Sequence, residues 1–115
     1  MKEVIWMGSS LGDLREFPED VQDEVGYSIY QAQLGFKARN AKPLTEIGSG
    51  VMEIVSNYDT NTYRAVYATK IGKVIYVLHC FQKKSTKGIA TPKVDSDLIG
   101  RRLTEARRIA KKRDK

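Results

Sequence analysis

Apolar positions along the chain start as a short continuous run, turn to helical spacing, change to strand-like runs in the middle and return to helical spacing at the end. Val4-Ile5-Trp6-Met7 reads as a first strand. Ser10 and Asp13 have the spacing of a capping box, so a short helix is predicted over Leu11 to Phe17. It should stop at Phe17, because the residue before Pro18 is pushed out of the helical region. Pro18 suits the first turn of a second helix, with Glu19, Asp20, Asp23 and Glu24 favourably placed against its dipole. Val21, Val25, Ile29, Ala32 and Phe36 give that helix one apolar face, and Gly35 with the polar stretch to Lys42-Pro43 ends it.

The middle changes period. Val51 to Tyr58, Tyr63 to Thr69 and Val74 to Phe81 are rich in β-branched and aromatic residues and are bounded by turn formers. Asp59-Thr60-Asn61 and Lys70-Ile71-Gly72-Lys73 are short enough to be hairpin connections, which predicts an antiparallel meander. Val74-Ile75-Tyr76-Val77-Leu78 is apolar on both faces, as in a strand covered on both sides. After Pro92 a terminal helix is predicted, capped by Asp95 or Ser96, with a stripe of Leu98, Ile99, Leu103, Ala106 and Ile109/Ala110. Its other face carries Arg101, Arg107, Arg108 and Lys111, so it should dock weakly on its own domain or lie against a partner. Together these elements predict one α+β domain over residues 1–115: a short N-terminal strand, a two-helix hairpin on an antiparallel meander, and a C-terminal helix with a frayed basic tail at 111–115.

Composition narrows the class. The 115 residues suit one core, and the single cysteine, Cys80, excludes an intramolecular disulfide. The N-terminus lacks the long apolar region of a signal peptide and no window approaches a membrane span, so a cytoplasmic protein with no membrane partner is expected. The net charge of +6 is unevenly placed. Residues 83–115 hold 12 Lys/Arg and 4 Asp/Glu, a net of +8, whereas residues 1–82 hold 8 Lys/Arg and 10 Asp/Glu, a net of −2. The basic end is therefore expected to meet an anion or an acidic partner.

The densest candidate is Phe81-Gln82-Lys83-Lys84-Ser85-Thr86-Lys87-Gly88, at the exit of the central strand. Lysines that leave a rigid sheet can hold a phosphate where lysines on a tail cannot. Arg64 lies inside an otherwise apolar strand and, by alternation, shares a face with Val66 and Ala68. A charge there must pair or face a cleft. It either bridges to Glu53 or lines an anion site with Lys83 and Lys84. His79, the only histidine, falls by alternation on the face of Ile75, Val77 and Phe81, where it is a core residue or an acid/base group. One histidine and one cysteine make no metal site, so no metal or cofactor is expected. Ile47-Gly48-Ser49-Gly50 lacks a nucleotide-binding fingerprint and reads as a bulge or turn.

The order Lys42-Pro43-Leu44, Gly50-Val51-Met52-Glu53-Ile54, Tyr63-Arg64-Ala65-Val66-Tyr67, Val77-Leu78-His79-Cys80-Phe81-Gln82-Lys83-Lys84 and Thr91-Pro92 resembles the phage-related HigB branch of the RelE/ParE-type toxins, over roughly residues 42–108. The resemblance implies a RelE-like fold. It also implies ribosome-dependent cleavage of mRNA in the A site, by attack of a ribose 2′-hydroxyl on the adjacent phosphate, and restraint by a helix-turn-helix, HigA-like antitoxin. By position, Arg64 matches the strand arginine at the scissile phosphate, Lys83 and Lys84 match the basic pair that ends the last strand, and His79 matches a histidine common in this branch. Lys87, Lys93 and Arg101 are then expected RNA contacts. Two departures argue for weaker cleavage: Val55 stands where the pattern has an arginine, and no tyrosine follows Tyr76. The alternatives are a ParE-like inhibitor of DNA gyrase on the same fold and a non-catalytic nucleic-acid-binding module.

Overall fold

A computed structural model describes residues 1–83 and 91–113. Its elements in chain order are β1 (Glu3–Trp6), α1 (Ser10–Arg15), α2 (Glu19–Gln33), β2 (Ala41–Pro43), β3 (Val51–Tyr58), β4 (Asn61–Ile71), β5 (Val74–Lys83) and α3 (Lys93–Arg113). The expected meander is present as β3-β4-β5, antiparallel throughout. Two short strands extend it to a five-stranded sheet in the order β1-β5-β4-β3-β2, and β1 runs parallel to β5, so the sheet is mixed rather than purely antiparallel. The α+β class and helical pair follow the sequence expectation.

The sheet is covered on both faces, which explains why its inner strands read as nearly continuous apolar runs. On one face α1 and α2 bury Leu14, Val21, Val25, Ile29 and Ala32 against Tyr63, Ala65, Tyr67, Ile75, Val77 and Cys80. On the other, α3 buries Ile99, Leu103, Ala106 and Ala110 against Val51, Val66, Ala68, Tyr76 and Leu78. The apolar stripe of α3 is thus used within the domain, and the expectation of weak docking is corrected. The helix also continues through 111–113, where a frayed tail is the sequence expectation, and Arg113 reaches Glu3 at 2.7 Å.

Local signals shift by a residue or two. Ser9, not Ser10, precedes α1 and donates to Asp13 at 2.8 Å, while Ser10 is buried with its hydroxyl on the Val77 carbonyl. Phe36 leaves the predicted stripe of α2 and is exposed, because Gly35 turns the chain through φ +91 just after the helix ends. α3 starts at Lys93, before its expected cap, since Asp95 uses its carboxylate elsewhere.

One irregularity in β5 matters more. Val66 pairs with His79 but Tyr67 pairs with Val77, so Leu78 is an extra residue in the strand. The bulge reverses alternation: Ile75 and Val77 face α1 and α2, whereas His79 and Phe81 face the α3 side with Leu78. His79 therefore does not share a face with Ile75 and Val77, contrary to simple alternation. Arg102 of α3 donates to the Leu78 carbonyl at 2.9 Å and to Ser9 Oγ at 3.2 Å, which ties the bulge to both helical layers. Its guanidinium passes so close to Gly8, at φ +51, that an added Cβ would lie 2.6 Å from it.

Candidate functional site

Beyond the apolar patch under α3, the same face of the sheet becomes polar. Glu53 on β3, Arg64 on β4 and His79 and Lys83 on β5 are 1%, 6%, 7% and 8% exposed. Strand register places them together: Glu53 opposes Val66, Val66 opposes His79, Arg64 opposes Phe81 and Thr62 opposes Lys83. Four ionisable side chains so deeply buried must pair with one another or with a ligand.

Arg64 and Glu53 meet at 2.8 Å, Nη1 to Oε1, so the bridge left open by the sequence is formed. It does not exclude a cleft role. Lys42, on β2 opposite Glu53, stands 3.8 Å from the same carboxylate oxygen. Burial first, then the charge of Arg64, holds the Lys83 ammonium below the usual lysine range; Glu53 opposes this shift and Lys42 adds to it. Among the described residues Glu53 is the one carboxylate in contact with Arg64 and Lys42, a positive balance that suits a phosphodiester.

His79 sits at the margin of this cluster. Its Nε2 lies 2.7 Å from Asp95 Oδ1 on the first turn of α3, and its ring stacks on Phe81 at 4.7 Å between centroids. The carboxylate accepts, so Nε2 carries a proton and Nδ1 is left as the other functional nitrogen. Among the described residues, Glu53 Oε2, Arg64 Nε, His79 Nδ1 and Thr91 Oγ1 are buried without a hydrogen-bond partner. Of these, Glu53, Arg64 and His79 belong to the charged face, which concentrates unmet hydrogen-bonding capacity there.

The other expected site residues divide. Lys84 and Lys87 lie outside the described residues. Lys93 is exposed and ion-paired with Asp97 at 3.1 Å, and Arg101 is exposed on α3 opposite its buried stripe, so neither joins the cluster. Val55, directly across from Arg64, is half-buried on the site face. Two members were missed by sequence reasoning. Lys42 belongs to a three-residue strand too short to show a period, and Asp95 presents the spacing of a helix cap. Among the described residues no group of His, Cys, Asp and Glu could hold a metal ion. No helix there is long and apolar enough to cross a membrane.

The same geometry has relatives. The crystal structure of the isolated E. coli RelE toxin superposes with a TM-score of 0.55 over 88% of this chain and 98% of that one, at 15% identity, which establishes a shared fold. No curated protein matches the sequence. The family model described as Phage derived protein Gp49-like (DUF891) matches residues 12–104, a span that includes every element from α2 to β5 and the first half of α3. The chain thus belongs to the phage-derived Gp49-like family, a RelE/HigB-like toxin family, and has a RelE-like fold.

Proposed function

We propose that this protein is the toxin of a toxin–antitoxin pair and acts as a ribosome-dependent mRNA endoribonuclease. The observation that carries the reading is the buried cluster of Arg64 and Lys83 around Glu53, fixed on three adjacent strands beside a carboxylate-held histidine. In-line attack by a 2′-hydroxyl needs charge stabilisation on the phosphorane oxygens and proton movement at both ends. Arg64 and Lys83 supply fixed positive charge without reorganisation, because their strands already hold them. Lys84 extends that charge along the sequence, and Lys87, Lys93 and Arg101 add positive charge for the RNA backbone beyond the cluster.

In this reading His79 moves a proton. With Nε2 donating to Asp95, Nδ1 takes the proton of the 2′-hydroxyl as its oxygen bonds to phosphorus. The P–O5′ bond breaks to leave a 2′,3′-cyclic phosphate, the 5′-oxygen takes a proton from water, and the imidazolium, stabilised by the same carboxylate, returns its proton to solvent. Few other bases stand near among the described residues, so the ribosome supplies much of the orientation of the mRNA in its A site. A cognate helix-turn-helix antitoxin of the HigA type restrains the activity, and the site of action is the cytoplasm.

Controlled expression tests this. Arg64→Ala and Lys84→Ala should each relieve growth arrest while the purified variants keep a cooperative urea transition. Transcript ends mapped soon after induction should fall within codons for the parent protein and vanish for the variants. Full toxicity in a folded Arg64→Ala/Lys84→Ala double variant would sink the proposal, and arrest without new transcript ends would point to a DNA gyrase target instead.

A further inference from the structure

Lys42 sits on the edge strand, two strands from Arg64, yet register brings it to the same face. Ala41 opposes Ile54, Lys42 opposes Glu53 and Pro43 opposes Met52. One row across the sheet therefore reads Lys42, Glu53, Val66, His79, and the next reads Val55, Arg64, Phe81. Flanking bonds hold this short strand in place. The Leu44 amide donates to the Val51 carbonyl at 2.8 Å and the Val55 amide to the Asn40 carbonyl at 3.0 Å. Lys42 thus projects from fixed backbone, as a positioned cation must.

Its pairing is poor for a structural role. Glu53 Oε1 already takes Arg64 at 2.8 Å, and Lys42 Nζ at 3.8 Å is beyond hydrogen-bond range. The Lys42 side chain is 52% exposed, and ion pairs that wet contribute little to stability. What Lys42 does contribute is charge within reach of the site: it is one of the groups whose field is felt at Lys83. β2 and β4 lie about 10 Å apart, two strand spacings, a separation that long side chains narrow toward one nucleotide step.

We propose that Lys42 is an RNA-contacting cation that holds a phosphate next to the scissile one, so that the bound backbone crosses the sheet from Arg64 toward the β2 edge. This rests on the endoribonuclease reading above. On this view Lys42 acts in binding, whereas Arg64 and Lys83 act at the reacting phosphate. Val55 lies on the same face across from Arg64, so an arginine placed there can reach the same backbone.

The test measures KM and kcat for the full chain on ribosomes programmed with one defined mRNA, over a range of KCl. Lys42→Met should raise KM roughly tenfold, the loss of one charge-assisted contact, with kcat changed less than about twofold. The dependence of log KM on log[KCl] should become shallower by about 0.7, the value for one phosphate on a single strand. Lys42→Arg should keep the parent KM, and Val55→Arg should restore most of the binding lost in Lys42→Met. A Lys42→Met protein with parent KM and salt slope overturns the proposal. So does a KM defect that comes with a lowered urea midpoint and no change in salt slope, since that marks a structural lysine. A parent protein that leaves programmed mRNA intact overturns the underlying reading, and this inference with it.

Discussion

Glu53 is the residue on which the polar face depends, because it is the only carboxylate in contact with Arg64 and Lys42 among the described residues. Removing either partner of a buried pair is costly, but here the two losses are unequal. Glu53→Gln strips the counter-charge from Arg64, Lys42 and Lys83 together and should cost about 3 kcal/mol or more of unfolding free energy. Arg64→Met leaves Glu53 with two cations nearby and should cost less. Urea denaturation of both variants decides the order, and a larger loss in Arg64→Met would refute it. Cys80 gives a second residue-scale prediction. Burial first, with Asp13 adding to it and Arg102 opposing, pushes its thiol up to about 12 from an ordinary 9.0. A raised folded value means that the native state holds a proton that the unfolded chain has already lost. Stability from this group is therefore complete below pH 9 and declines as pH rises toward 12, by about 1.4 kcal/mol per pH unit at the steepest. Relative to Cys80→Ala, the parent should lose urea resistance faster between pH 9 and 10.5, and native Cys80 should resist iodoacetamide until the protein unfolds.

At the scale of elements, the helices and meander were legible because their periods are long enough to register. Val21, Val25, Ile29 and Ala32 fall on one side of α2 as their spacing requires, and β4 alternates between the two cores as expected. What escaped was short or irregular. β2 has three residues, and the Leu78 bulge breaks alternation at one point without any glycine or proline to announce it. The Arg64–Glu53 bridge was foreseeable as one of two outcomes, since both residues alternate onto one face. The His79–Asp95 contact was not, because it needs the bulge to turn His79 toward α3 and needs Asp95 to forgo capping. The β3–β4 turn shows the same limit: its two central residues, Asp59 and Thr60, both have positive φ, at 49 and 66, where Asn-Gly is the favoured pair. A β-branched threonine is strained there. Replacing Asp59-Thr60 by Asn-Gly should raise stability by about 1 kcal/mol, read as a higher thermal midpoint with activity unchanged. An unaltered or lower midpoint would show that the turn is already relaxed.

For the molecule as a whole, the two layers of helix do different work. α1 and α2 close one face with apolar packing, whereas α3 closes only part of the other and leaves the charged rows beside its N-terminus. The uneven charge of the chain meets this division at Lys83, the last residue of β5 and the first of the basic end of the sequence. The single additional residue at Leu78 makes this border tolerant of one particular change of length. The odd-numbered residues before it, Ile75 and Val77, face α1 and α2, and the odd-numbered residues after it, His79 and Phe81, face the α3 side. Without that residue Val77, His79 and Cys80 alternate regularly, so His79, Phe81 and Lys83 stay on the α3 side and Cys80 stays beneath α1 and α2. What is lost is the bulge, the buried Leu78 side chain and the carbonyl that Arg102 holds. A protein lacking Leu78 should therefore still unfold cooperatively in urea, with a loss of about 3 kcal/mol, while Leu78→Val, shorter by one methylene at the same position, should lose only about 1 kcal/mol. A deletion variant with no cooperative transition would show that the strand cannot close up across the bulge. The bulge, more than the identity of any one side chain, is what lets β5 feed the α1 and α2 core with Val77 and still bring His79 to the charged rows beside α3.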